Sequence, residues 1–161
     1  MTIGFILNGE AVVVHTEADR RLIDILRETF GLSGAKRGCL SGHCGACSVI
    51  MNGVVVPACI IPAFRIQDQA IITIEGFSQT DAYQDLRSGF QEAGVELCGY
   101  CDAGKILIAE ALLAKNPRPA RHAILTSLSG IQCRCTEPED MVKGVLAAVD
   151  IRRRRLYDRT T

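Results

Sequence analysis

Gly38-Cys39-Leu40-Ser41-Gly42-His43-Cys44-Gly45-Ala46-Cys47 is the stretch on which this chain turns. Four residues separate its first two cysteines, two separate the next pair, and eleven more lead to Cys59. C-x4-C-x2-C followed by a later cysteine is the ligand spacing of a plant-type [2Fe–2S] cluster. The physical demand is a loop that curls around the cluster and points backbone N–H groups at its sulfurs. Such a loop needs close approach and unusual backbone angles, which glycine permits. Gly38, Gly42 and Gly45 stand where that freedom is useful. His43 lies inside the loop, but four cysteines already complete a set, so it reads as a loop residue facing solvent or a partner.

Around this stretch the first half reads as a small sheet with one helix. Ile3, Phe5 and Leu7 alternate, Asn8-Gly9 makes a tight turn, and Ala11 to His15 return. Leu22, Ile25, Leu26 and Phe30 predict an amphipathic helix over 19–30. Asn52-Gly53 predicts a second hairpin between Ser48–Met51 and Val54–Val56. A further strand is predicted over Ile71–Ile74. Gly76-Phe77-Ser78-Gln79 marks the boundary, dividing the chain into 1–76 and 77–161.

The second half is helical, with helices predicted over 81–93, 101–115, 120–130 and 138–150. Asn116-Pro117 stops the second of them. Thr136-x-x-Glu139 with Pro138 reads as a capping box opening the last. This half carries Cys98-x2-Cys101 and, thirty-one residues on, Cys133-Arg134-Cys135. Taken alone, that set suits either zinc or a cluster. Cys101 and Cys135 fall at helix starts, whose free N–H groups favour an anionic group.

Composition narrows the class. Acidic and basic residues balance, 18 against 18, whereas nucleic-acid proteins carry a basic excess. No apolar run is long enough for a membrane span. The N-terminus shows no signal peptide, so eight cysteines point to metal in a reducing, cytoplasmic setting rather than to disulfides. No G-x-G-x-x-G or Walker loop offers a flavin or nucleotide site, and no Ser-His-Asp arrangement stands out. The run Arg152 to Arg155 reads as a solvated tail, or more sharply as a docking strip for an acidic partner surface.

With both cysteine sets in view, the chain resembles the small iron–sulfur subunit of the molybdenum hydroxylases, the xanthine dehydrogenase, aldehyde oxidoreductase and carbon monoxide dehydrogenase group. The matching stretches are Gly38-Cys39 with His43-Cys44-Gly45-Ala46-Cys47, Cys98-Gly99-Tyr100-Cys101 with Gly104, and Cys133-Arg134-Cys135-Thr136. The resemblance implies an α+β chain: an N-terminal β-grasp, plant-type ferredoxin domain, then an all-α four-helix bundle iron–sulfur domain. It implies two [2Fe–2S] clusters, with Cys39, Cys44, Cys47 and Cys59 holding the distal one nearer the flavin. Cys98, Cys101, Cys133 and Cys135 would hold the proximal one nearer the molybdopterin, with Cys135 close to the pterin. Molybdopterin and FAD would sit on partner subunits, in a dimer of heterotrimers. The alternatives are a free-standing two-cluster ferredoxin-like carrier and a non-redox zinc module.

Departures from the family pattern gather around the second set: Leu97 for Gln, Asp102-Ala103 for Thr-Pro, Ile131-Gln132 for Asn-Leu, and Glu137-Pro138 for Gly-Tyr. Asp102 is expected to repel an added electron, so that Asp102→Thr raises the second cluster's potential.

Overall fold

The computed structural model describes residues 1–158. Residues 159–161, the end of the predicted second domain, lie outside the described residues. What is described forms a five-stranded mixed sheet and six helices. β1 (Thr2–Leu7) and β2 (Glu10–His15) are antiparallel, as are β3 (Ser48–Met51) and β4 (Val54–Pro57). β5 (Ala70–Ile72) lies between the hairpins, parallel to β1 and antiparallel to β3, giving the order β2-β1-β5-β3-β4. Both hairpin turns hold two residues at positive φ: Asn8 and Gly9 at 52° and 90°, Asn52 and Gly53 at 49° and 78°. That is what a two-residue turn needs if it is to match strand twist.

The first helix differs from its prediction. α1 (Leu22–Asp24) passes at once into a π-helical turn, Ile25–Thr29, and the N–H of Phe30 reaches back to the Ile25 carbonyl. Leu22, Ile23, Ile25 and Leu26 are all fully buried against the sheet, and the wider turn brings Phe30 edge-on to Phe5. Packing on the sheet outweighs the regular 3.6-residue period here.

The strand predicted over 71–74 ends early. Asn8 Oδ1 takes the Thr73 N–H at 2.8 Å, which removes a donor from the ladder, and Ile74 starts the short helix α2 (Ile74–Phe77) instead. α3 (Asp81–Glu92), α4 (Asp102–Lys115), α5 (Arg121–Leu128) and α6 (Pro138–Asp158) follow. They enclose a second core built on Leu86, Phe90, Leu107, Ile124 and Val145. β3 serves both cores: Val49 faces the first and Ile50 the second. The cysteine-bearing segments are therefore clamped between sheet and helices.

α6 runs to Asp158, past its predicted end, and this changes the arginine run. Arg152 and Arg155 share one face. Arg155 holds Asp85 at 2.6 Å, and Arg152 reaches Asp85 at 3.2 Å and Glu110 at 2.6 Å. The Asp85 side chain is only 3% exposed, so half the run is internal glue between α3, α4 and α6. Arg153 and Arg154 alone remain on the surface.

Candidate iron–sulfur centres

The eight cysteines are all free thiols, and each set divides into an inner and an outer pair. In the first set Cys47 and Cys59 are buried, while Cys39 is exposed and Cys44 half-buried. Cys47 and Cys59 stand close enough to influence each other's ionisation. Cys39 and Cys44 are joined reciprocally: the Cys44 N–H donates to Cys39 Sγ at 3.3 Å, and the Cys39 N–H donates to Cys44 Sγ at 3.4 Å. In the second set Cys101 is buried beside half-buried Cys133, while exposed Cys135 stands beside exposed Cys98.

Local backbone geometry explains the first loop. Leu40, Gly42 and Gly45 all have positive φ. For a branched residue such as Leu40 this is an uncommon conformation, and strain of that kind collects at functional sites. The result is a nest: the N–H groups of Ser41, His43 and Cys44 all donate to Cys39 Sγ, at 3.4, 3.2 and 3.3 Å. Hydrogen bonds from Ser41 first, with Cys44 and His43 adding, bring the Cys39 thiol down to about 5. The inner thiols move the other way, because burial pushes both Cys47 and Cys101 up. Burial also opposes ionisation of Cys133, but the Cys135 N–H, the Cys101 thiol and the Thr136 N–H together pull it down.

The second set surrounds a cavity of about 260 Å³, lined by Cys98, Tyr100, Cys101, Gln132, Cys133, Arg134 and Cys135. α4 starts directly after Cys101. Thr136 does not cap α6 as predicted: its hydroxyl donates to the Glu96 carbonyl at 3.3 Å and accepts from Lys105 Nζ at 3.2 Å. Lys105 is the residue the sequence reading missed. Its only sequence signal is a lysine three residues after Asp102 on an otherwise apolar helix face.

The two sets meet at a backbone seam. The Gln132 N–H, next to Cys133, donates to the Cys44 carbonyl at 3.0 Å. Ala46, Cys101 and Ile131 pack there, with Cys44 and Cys133 against them. The seam is tight: a Cβ on Gly104 would stand 2.3 Å from the Gly45 carbonyl oxygen, and one on Gly45 2.5 Å from that of Gly130. Tyr100 crosses the same gap, its hydroxyl 3.4 Å from the Arg37 carbonyl.

This donor set fits [2Fe–2S] clusters. Each iron of such a cluster takes two thiolates, and the thiols stand in twos, with peptide N–H groups already aimed at sulfur. A buried inner thiol loses its proton readily only when a metal supplies compensating charge. Among the described residues, no three His, Cys, Asp or Glu side chains are gathered as one metal ion would require.

Comparison with known proteins agrees. A [2Fe-2S] binding domain model matches residues 73–146, and a 2Fe-2S iron-sulfur cluster binding domain model matches residues 19–92. The nicotinate dehydrogenase small FeS subunit of Eubacterium barkeri is 48% identical over 136 residues, 84% of this chain and 87% of that one. The chain belongs to the iron–sulfur subunits of the molybdenum hydroxylases. A chain of quinoline 2-oxidoreductase from Pseudomonas putida 86 superposes with a TM-score of 0.87 at 35% identity, covering 96% of each. In the aldehyde oxidoreductase of Megalodesulfovibrio gigas, the matching stretch is 37% identical and makes up 16% of a longer chain. As a molybdenum hydroxylase iron–sulfur subunit, the chain serves an oxidoreductase. Among the described residues no helix is long and apolar enough to cross a membrane.

Proposed function

We propose that this subunit relays single electrons through two [2Fe–2S] clusters, from a molybdopterin-binding subunit to an FAD-binding subunit. Cys98, Cys101, Cys133 and Cys135 hold the entry cluster, and Cys39, Cys44, Cys47 and Cys59 the exit cluster. When bound, the clusters supply one-electron redox chemistry. The chain's own residues supply the thiolates, the peptide donors that stabilise added negative charge, and the fixed separation between the sites.

The observation that carries this reading is the Cys44–Gln132 seam. One hydrogen bond joins a proposed ligand of one cluster to the residue adjoining a proposed ligand of the other. Cys39, Cys98 and Cys135 remain exposed, which suits exchange with partners outside the chain. In this reading exposed Cys135 meets the pterin side. Leu40 and Ile60 are exposed apolar groups beside the first loop, where a flavin subunit would cover them. The same reading takes residues 1–76 as a β-grasp domain, 77–161 as a four-helix bundle domain, and the assembly as a cytoplasmic dimer of heterotrimers.

Iron and acid-labile sulfide analysis of the purified complex, with EPR of the dithionite-reduced form, tests it. The expected result is two irons and two sulfides for each of two clusters, with two distinct signals. Zinc without sulfide at the second set would refute the relay, and purification without larger partner chains would favour a free carrier.

A further inference from the structure

Lys105 is a fully buried charge beside the second site that the relay reading leaves without a role. Its side chain is 0% exposed, and lysine is almost never fully buried unless paired. An ammonium carries three donors and no acceptor. Here Nζ reaches Thr136 Oγ1 at 3.2 Å and Asp102 Oδ1 at 3.4 Å, and Lys105 itself lies one helical turn after Cys101 on α4. Thr136 spends its own proton on the Glu96 carbonyl, so its oxygen is left to accept. Asp102 is committed on its other side too, where its second oxygen accepts the Gly99 N–H. The carboxylate expected to stand bare beside the cluster is thus half of an ion pair.

We infer that Lys105 is a positioning residue for the second cluster, a buried counter-charge one helical turn after Cys101 that raises that cluster's reduction potential, with Asp102 moderating it. The inference rests on the reading of Cys98, Cys101, Cys133 and Cys135 as [2Fe–2S] ligands. Reduction adds one electron, turning one ferric iron ferrous and making the cluster more negative by one charge. A buried cation is screened far less than a surface one, so it stabilises the reduced form more than the oxidised form. Lys105 is fully buried, whereas the Asp102 side chain is 14% exposed, so the less screened positive charge prevails.

EPR-monitored dithionite titration of the intact complex tests this with Lys105→Met, Asp102→Asn and the double variant. Lys105→Met is expected to lower the second cluster's potential by about a tenfold change in its one-electron equilibrium, or about 59 mV, with the first signal unmoved. Asp102→Asn should shift the same signal the opposite way by less, and the double variant should fall between. Both single variants titrating like the parent, with both signals at full intensity, would overturn the inference while leaving the ligand reading intact. If Lys105→Met prevents cluster assembly, Asp102→Asn decides: a rise supports the inference and no shift overturns it. A parent complex with no second [2Fe–2S] signal would instead overturn the ligand reading, and the Lys105 inference with it.

Discussion

The two cysteine sets solve one problem in different ways. The first surrounds its thiols with peptide N–H groups from a loop bent through positive φ at Leu40, Gly42 and Gly45. The second stands at the start of α4 and beside the start of α6, with a buried ammonium, Lys105, behind it. Peptide dipoles are fixed once the loop folds. A buried side-chain charge can be changed by one substitution. The first arrangement therefore ties electrostatics to loop conformation, while the second separates them.

The inner–outer division is the part of this comparison that mutation breaks most completely. Cys47→Ala is expected to abolish the first EPR signal and Cys101→Ala the second, each ending electron delivery in a dye-reduction assay of the complex. Persistence of the matching signal would remove that cysteine from the ligand set.

Thiol reactivity in the cluster-free chain sharpens the contrast next. Thiolate is the nucleophile, and a thiol brought down to about 5, as Cys39 is, is thiolate at every pH above that value. Cys47 and Cys101, pushed up by burial, stay protonated at neutral pH. Iodoacetamide at pH 6.5, followed by peptide mass spectrometry, should label Cys39 well before either. Equal labelling would show that the nest does not form without metal.

The seam between the sets is sensitive to a single methyl. Gly45→Ala places a Cβ 2.5 Å from the Gly130 carbonyl oxygen at a backbone φ of +73°. Overpacking and left-handed strain together should cost about 3 kcal/mol, read as a lowered urea midpoint. The same substitution at Gly53, where a Cβ meets nothing within 4 Å, isolates the backbone cost.

The smallest contrast lies within the arginine run. Arg152→Ala leaves Glu110 without its guanidinium and Asp85 with one partner fewer, and should cost about 1–2 kcal/mol in thermal unfolding. Arg154→Ala should stay within about 0.5 kcal/mol. Equal effects would return the whole run to the surface.

Much of this was legible in the chain because it is local. Asn8-Gly9 and Asn52-Gly53 specify hairpin turns through their own backbone preferences, and both occur. The cysteine spacings name a cofactor class because loop length sets which thiols reach one cluster. The misreadings share one cause, a distant partner acting on a local signal. Asn8 captures the Thr73 N–H and ends a strand. The sheet turns a regular helix into a π turn at Ile25. Lys105 draws Thr136 away from its cap, and Asp85 draws two arginines inward.

Sequence by itself determined that the chain carries two spaced sets of four cysteines, the first at plant-type [2Fe–2S] spacing, because thiolate chemistry and loop reach are properties of neighbours in the chain. Only the tertiary structure decided which cysteine stands with which, where the two sets touch, and that Asp102 is answered by a buried lysine. Those relations join residues up to tens of positions apart, and their energies depend on burial and distance, which spacing alone does not encode.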